Sequence, residues 1–180
     1  MPDLPEKPYL QILISQEQVE RRVAELAAEI DRDYRGVDRL ICVGVLKGSV
    51  FFMVDLLKRL SIPVEVDFFQ TSSYGANTEP GEVRIRKDID VSIRDAHVLL
   101  IEDIVDTGHT LRTILGLLRF RGAQSVKLCA LLDKVSRREA EVQVDYRGFS
   151  IEDRFVVGYG LDFDEKYRNL PYIGYIEDPS

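Results

Sequence analysis

The chain of 180 residues predicts an α/β fold with a central, mainly parallel sheet flanked by helices. Two observations carry that prediction. Short apolar runs rich in β-branched residues, such as Arg39–Leu46 (RLICVGVL) and Ala96–Ile101 (AHVLLI), suit strands buried on both faces, as parallel strands are. Segments with apolar residues at helical spacing stand between such runs. The length fits a single domain over residues 1–180, large enough to bury a real core.

Taken in order, the first helix starts at Ser15, which forms a capping-box pattern with Gln18. Val19, Val23, Leu26, Ala27 and Ile30 continue it, and Gly36 is a plausible stop. A strand over Arg39–Leu46 follows. Val50–Leu60 reads as a helix ended by Ser61-Ile62-Pro63, and Val64–Phe69 as the next strand. From Ser72 the chain turns polar: SSYGANTEPGE predicts a mobile loop. EVRIRKDIDVSIR alternates with a period near two and predicts an exposed two-stranded hairpin, so the loop and hairpin together fill about residues 72–95. Then come a strand at Ala96–Ile101 and a helix at Thr110–Phe120 with Gly122 at its end. A strand at Ser125–Leu132 and two late strands, Phe155–Tyr159 and Tyr172–Ile176, complete the set.

Composition narrows the function classes. Hydrophobic residues make up 45% and charged residues 31%, which excludes disorder and collagen-like order for the whole chain. The net charge of −7 argues against generic binding of nucleic acid or an anionic membrane. Cys42 and Cys129 lie inside apolar runs and read as reduced core residues, with no CxxC pattern to suggest zinc. The N-terminal segment lacks the apolar stretch of a signal peptide, and no apolar run approaches the ~20 residues of a membrane span. The expectation is a cytoplasmic protein.

The chemistry concentrates in Val98–Thr110, VLLIEDIVDTGHT. A buried strand runs into Glu102, Asp103 and Asp106, then Thr107-Gly108-His109-Thr110 and a helix. Ligands of open α/β sheets bind outside the C-terminal ends of the strands, where this loop lies. Gly108 permits a tight turn. Amides of residues 107–110 at a helix N-terminus favour an anion, and the Thr107 and Thr110 hydroxyls add donors. The acids would repel a phosphate, so they suit ribose hydroxyls, directly or through a divalent cation. Together the parts suit a sugar phosphate. A plain helix cap would need only Asp106 or Thr107. The chain contains neither GxxxxGK[ST] nor GxGxxG, so this is neither a Walker loop nor a dinucleotide fingerprint.

VLLIEDIVDTGHT resembles the phosphoribosyl-pyrophosphate (PRPP) motif of the type I phosphoribosyltransferases. Leu46–Ser49 (LKGS) resembles the diphosphate loop of the purine branch, and Ser73-Tyr74 its catalytic lid. LLDKVSRR, with Lys134, resembles its base-recognition segment, and Phe155–Gly174 (FVVGYGLDFDEKYRNLPYIG) its C-terminal signature. The resemblance runs in order over nearly the whole chain and points to the bacterial hypoxanthine (hypoxanthine-guanine) members of that branch.

The resemblance implies the type I fold: a five-stranded core over about residues 16–160, a hood from residues 1–15 and 161–180, and a lid loop. It implies transfer of the phosphoribosyl group of PRPP to N9 of hypoxanthine or guanine, giving IMP or GMP and diphosphate, with Mg²⁺ as cofactor. Glu102 and Asp103 would hold the ribose and a metal. Asp106, Thr107, Gly108, His109 and Thr110 would cradle the 5′-phosphate, with Asp106 also the general base near N7 of the purine. Lys47, Gly48 and Arg168 would bind diphosphate, in some relatives beside a cis peptide before the lysine. Lys134 would read the 6-oxo group, Phe155 would stack on the base, Val156 would offer backbone groups and Asp162 would lie beside the purine and hold a second Mg²⁺. Ser73 and Tyr74 would close the lid. A phosphate beside His109 would favour its protonated ring. Arg137 and Arg138 read as a solvated basic turn, and His97 has no evident role. A homodimer or homotetramer is expected. The rivals are an RNA-binding regulator of pyrimidine-operon type, which should carry a basic face, and a nucleotide-binding module without turnover.

Overall fold

β2 (Leu40–Val45) and β5 (His97–Val105) lie side by side, parallel, at the centre of a six-stranded sheet. The strand order is β4-β3-β2-β5-β6-β7, with β3 (Glu65–Ser73), β4 (Val83–Lys87), β6 (Ser125–Asp133) and β7 (Tyr146–Ser150). Five strands are parallel, and β4 adds antiparallel to β3 at one edge. The computed structural model describes residues 10–73 and 83–176.

Successive residues of the central strands feed two cores. Leu99 and Ile101 point to the face covered by α1 (Gln16–Asp33) and α2 (Val50–Leu57). Val98 and Leu100 point to the face covered by α3 (His109–Phe120), which buries Leu111, Ile114, Leu115 and Leu118. Each such aliphatic side chain contributes about 1.5–3 kcal/mol through burial. The continuous apolar runs in the sequence therefore reflect burial on both faces. The Ser15 capping box forms with Gln18, so α1 starts as expected.

A second, antiparallel sheet joins β1 (Leu10–Ile14), β9 (Ile173–Ile176) and β8 (Val156–Val157) in the order β1-β9-β8. Its β8 begins before Gly160, and the strand expected over Phe155–Tyr159 shrinks to two residues. Gly158 and Gly160 have φ of 97° and 102° there, which ends the strand.

The expected hairpin within residues 82–94 does not form. β4 pairs instead with the extended end of β3, Gln70–Ser73. Ile89 and Val91 then pack on the α3-side core and Ile93 is buried in it, so their alternation reflects burial of a loop rather than a second strand. The turn-rich segment between β3 and β4, with Tyr74, falls on residues 74–82, outside the described residues. Among the described residues no helix is long and apolar enough to cross a membrane.

Candidate active site

The connectivity changes direction between β2 and β5. The chain proceeds outward from β2 to β3 on one side and from β5 through β6 to β7 on the other. Such a switch point leaves a crevice at the C-terminal strand ends, because the following loops diverge. The two loops carrying the recognised motifs, residues 46–49 and 106–109, leave from these two strands.

β5 extends four residues beyond the expected strand end, so Glu102 and Asp103 lie within it. Glu102 is buried beside the Asp103 carboxylate. Burial, then the Asp103 charge, push the Glu102 carboxyl well above the usual carboxylate range. Two adjoining acids, one out of water, make a ready acceptor for a cation or for hydroxyl donors. The Asp103 side chain lies against the other loop: a Cβ at Gly48 would fall 1.6 Å from Asp103 Oδ2. The Leu46–Lys47 peptide is cis.

Beyond β5, Gly108 takes φ 89° and forms the N-cap of α3, with no side chain capping the helix. Neither Asp106 nor Thr107 is spent as a cap, so the simple capping reading fails. His109 is the first residue of α3, not a loop residue. A cavity of about 160 Å³ is lined by Glu102, Asp106, Thr107, Gly108 and Thr110, together with Ile104 and Leu111. The dipole of α3 points its positive end at this space. Backbone N–H groups of Glu139 and Ala140 donate to Thr107 O at 3.0 Å each and brace the loop. The His109 ring Nε2 lies 2.9 Å from Glu139 Oε2.

The segment after β6 lies over the same mouth. Lys134 is buried, and its Nζ donates to Asp153 Oδ1 at 3.2 Å. Arg137 Nε donates to Asp106 Oδ1 at 3.2 Å. Arg138 pairs with the buried Asp133 carboxylate and donates to Asp106 O at 3.2 Å and Val142 O at 3.0 Å. The two arginines are thus engaged with the site loop, which corrects their reading as a solvated turn. Sequence proximity gave no signal for their link to the site loop, because Asp106 lies about thirty residues away, beyond another strand.

The C-terminal segment closes the opposite wall. A Cβ on Gly160 would fall 1.9 Å from Gly48 O, so this segment sits directly on the 46–49 loop. Arg168 pairs with Asp162 at 2.9 Å and donates to Gly160 O at 2.7 Å, while its Nε is buried without a hydrogen-bond partner. Lys47 Nζ donates to Glu165 Oε2 at 2.8 Å. Phe155 is half exposed and meets Phe163 edge to face at 5.5 Å, whereas Val156 is buried in β8. Ser73 pairs with Val83 in the β3–β4 ladder, at the border of the residues not described. Asp153, Glu165 and Ile104 join the site without having been singled out from the sequence.

Among the described residues no group of three or more His, Cys, Asp or Glu side chains forms a protein cage for a metal. Magnesium bound mainly through phosphates and water needs only one or two carboxylates. The adjoining Glu102 and Asp103 fit that kind of site.

Comparison with known proteins agrees with this geometry. Residues 11–164 match the family model of the phosphoribosyl transferase domain. A hypoxanthine phosphoribosyltransferase of Haemophilus influenzae is 48% identical, over 93% of this chain and 96% of the relative. A hypoxanthine-guanine phosphoribosyltransferase of Bacillus subtilis is also 48% identical, over 92% of each chain. The crystal structure of a hypoxanthine phosphoribosyltransferase from Staphylococcus aureus superposes with a TM-score of 0.91 at 46% identity, over 98% of this chain and 96% of that one. The RNA-binding regulator finds no support among these relatives. With its sheet, its switch-point crevice and its motif loops in that arrangement, the chain belongs to the phosphoribosyl transferase family.

Proposed function

We infer that the protein is a purine-salvage phosphoribosyltransferase, moving the 5-phosphoribosyl group of PRPP to N9 of hypoxanthine or guanine. In this reaction the N9–C1′ bond forms, the bond from C1′ to diphosphate breaks, and the purine loses a proton. The products are IMP or GMP and diphosphate. The observation that carries the reading is the adjoining acid pair, Glu102 buried beside Asp103, running straight into an uncapped helix N-terminus at the sheet's switch point. Acids for ribose and amides for phosphate stand there in the order that a sugar phosphate requires.

In this reading Glu102 and Asp103 take the ribose hydroxyls, and residues 106–110 take the 5′-phosphate. Asp106 accepts the proton lost at N7. Lys47, Gly48 and Arg168 receive diphosphate, a role supported by the unpartnered buried Nε of Arg168. Lys134 donates to the 6-oxo group. Adenine would present a donor to that donor, and such a mismatch is costly when buried. Phe155 stacks on the base, supported by its half-exposed ring, and Val156 and Asp162 line the base edge. A lid role for Ser73 and Tyr74 belongs to the same proposal and rests on the motif resemblance. Glu102 and Asp103 would hold one Mg²⁺ together with substrate oxygens and Asp162 a second, and the metal would neutralise charge developing on the leaving diphosphate. A cytoplasmic location and a homodimer or homotetramer belong to the same proposal. The exposed apolar Phe51 and Val54 on α2 support the assembly.

The test is a spectrophotometric assay with PRPP, Mg²⁺ and, separately, hypoxanthine, guanine, xanthine and adenine. Turnover of 6-oxopurines without adenine is expected. Asp106→Ala should lose about 10²–10⁴-fold in kcat, the usual worth of a general base. Lys134→Ala should lose discrimination against adenine. No turnover with any purine overturns the reading.

A further inference from the structure

Lys134 and Asp106, the two side chains asked to read and deprotonate the purine, are joined by two residues that have no role so far. Asp153 Oδ1 accepts from Lys134 Nζ at 3.2 Å, and Asp153 Oδ2 lies 3.6 Å from Arg137 NH1. Arg137 Nε in turn donates to Asp106 Oδ1 at 3.2 Å. The result is an alternating chain, Lys134–Asp153–Arg137–Asp106, running from the base-reading group to the catalytic carboxylate. Its backbone is fixed at both ends of the turn. Lys134 N donates to Val105 O at 2.9 Å, and Arg137 N to Lys134 O at 3.0 Å.

The members differ in what they need. Lys134 is buried, and Asp153 takes one of its three ammonium donors, which fixes the direction of the other two toward a ligand. Arg137 and Asp106 are each nearly half exposed, so their pairing adds little stability. Its effect is on direction: a planar guanidinium fixes the carboxylate it faces better than water does.

We propose that Asp153 and Arg137 are positioning residues, Asp153 aiming the Lys134 ammonium at the purine and Arg137 aiming the Asp106 carboxylate. The proposal rests on the reading of Lys134 and Asp106 given above. It separates binding from chemistry. Asp153→Asn keeps the shape but removes the charge that orients Lys134. It should raise the KM for hypoxanthine about tenfold and narrow the preference over adenine, in line with the loss of a charged hydrogen bond. Arg137→Ala should lower kcat about tenfold with the hypoxanthine KM within about twofold, and Arg137→Lys should recover part of that loss.

The experiment measures kcat and KM for hypoxanthine and adenine at saturating PRPP and Mg²⁺, with thermal melts, for the unaltered protein, Asp153→Asn, Arg137→Ala and Arg137→Lys. Opposite KM and kcat signatures at unchanged melting temperature support the proposal. Turnover by the unaltered protein with Asp153→Asn and Arg137→Ala both kinetically unchanged overturns it and leaves the assigned function standing. So does a loss in both constants that follows a fall in melting temperature. No turnover by the unaltered protein overturns the assigned function and this proposal with it.

Discussion

Gly48 and Gly160 show how single atoms set this site. Neither could carry a Cβ: at Gly48 it would overlap the Asp103 carboxylate, and at Gly160 it would overlap the Gly48 carbonyl. Gly160 also has φ 102°, a region L side chains rarely adopt. The two glycines let the 46–49 loop fit between β5 and the C-terminal segment. Gly48→Ala should therefore push Asp103 aside while the sheet stays intact. A displacement of that size at a reacting centre costs about 10²-fold in kcat/KM. Steady-state kinetics beside a thermal melt checks this, and activity within threefold of the unaltered protein would refute it. Leu46–Ser49 was legible as a motif in the sequence, but the need for glycine at 48 was not, since the obstructing Asp103 lies on another strand.

At the scale of elements, the connection from β4 to β5 is held by one buried acid. Asp67 of β3 accepts from the backbone N–H groups of Phe68, Asp90 and Val91 at 2.7, 2.7 and 3.1 Å, and from Lys87 Nζ at 3.1 Å. Burial alone would raise its carboxyl, but these donors outweigh it and hold it below the ordinary value. An unfolded Asp titrates near ~3.9, so the stabilisation is complete above that pH and is lost as pH falls through the lower folded value. Asp67→Asn should cost about 1–3 kcal/mol at pH 7, the worth of hydrogen bonds to a charge. Urea unfolding between pH 7 and pH 2 should show the gap to the unaltered protein closing below about pH 4. A gap of constant size at every pH would refute the role. This tie also explains why residues 88–94 mimic a strand: Asp67 binds their backbone while Ile89, Val91 and Ile93 turn to the core.

For the whole molecule, the two cysteines report on the integrity of the central sheet. Cys42 in β2 and Cys129 in β6 are fully buried in the same core. Burial pushes the Cys42 thiol up to about 12 and the Cys129 thiol higher still. A thiol needs both exposure and its thiolate form to react. Neither should react with a disulfide reagent at pH 8 in the folded protein, and both should react once urea unfolds it. Rapid labelling without unfolding would mean that the central strands open locally.

Local patterns in the sequence specify the class of the fold, its three helices, the central strands and the motif loops, but they missed β7 and placed a hairpin where β4 and a packed loop stand. The patterns are local properties: apolar period, capping at Ser15, and the density of acids and threonines between Glu102 and Thr110. The sequence also carried the family resemblance, because each motif is contiguous. That the 46–49 and 106–109 loops meet at a switch point follows only from the order of strands in the sheet. The same holds for β4 folding back on β3, for Asp153 and Arg137 linking Lys134 to Asp106, and for Glu165 facing Lys47. Each depends on side chains brought together from different elements. Burial and distance between such groups arise only when the strands are ordered in the sheet.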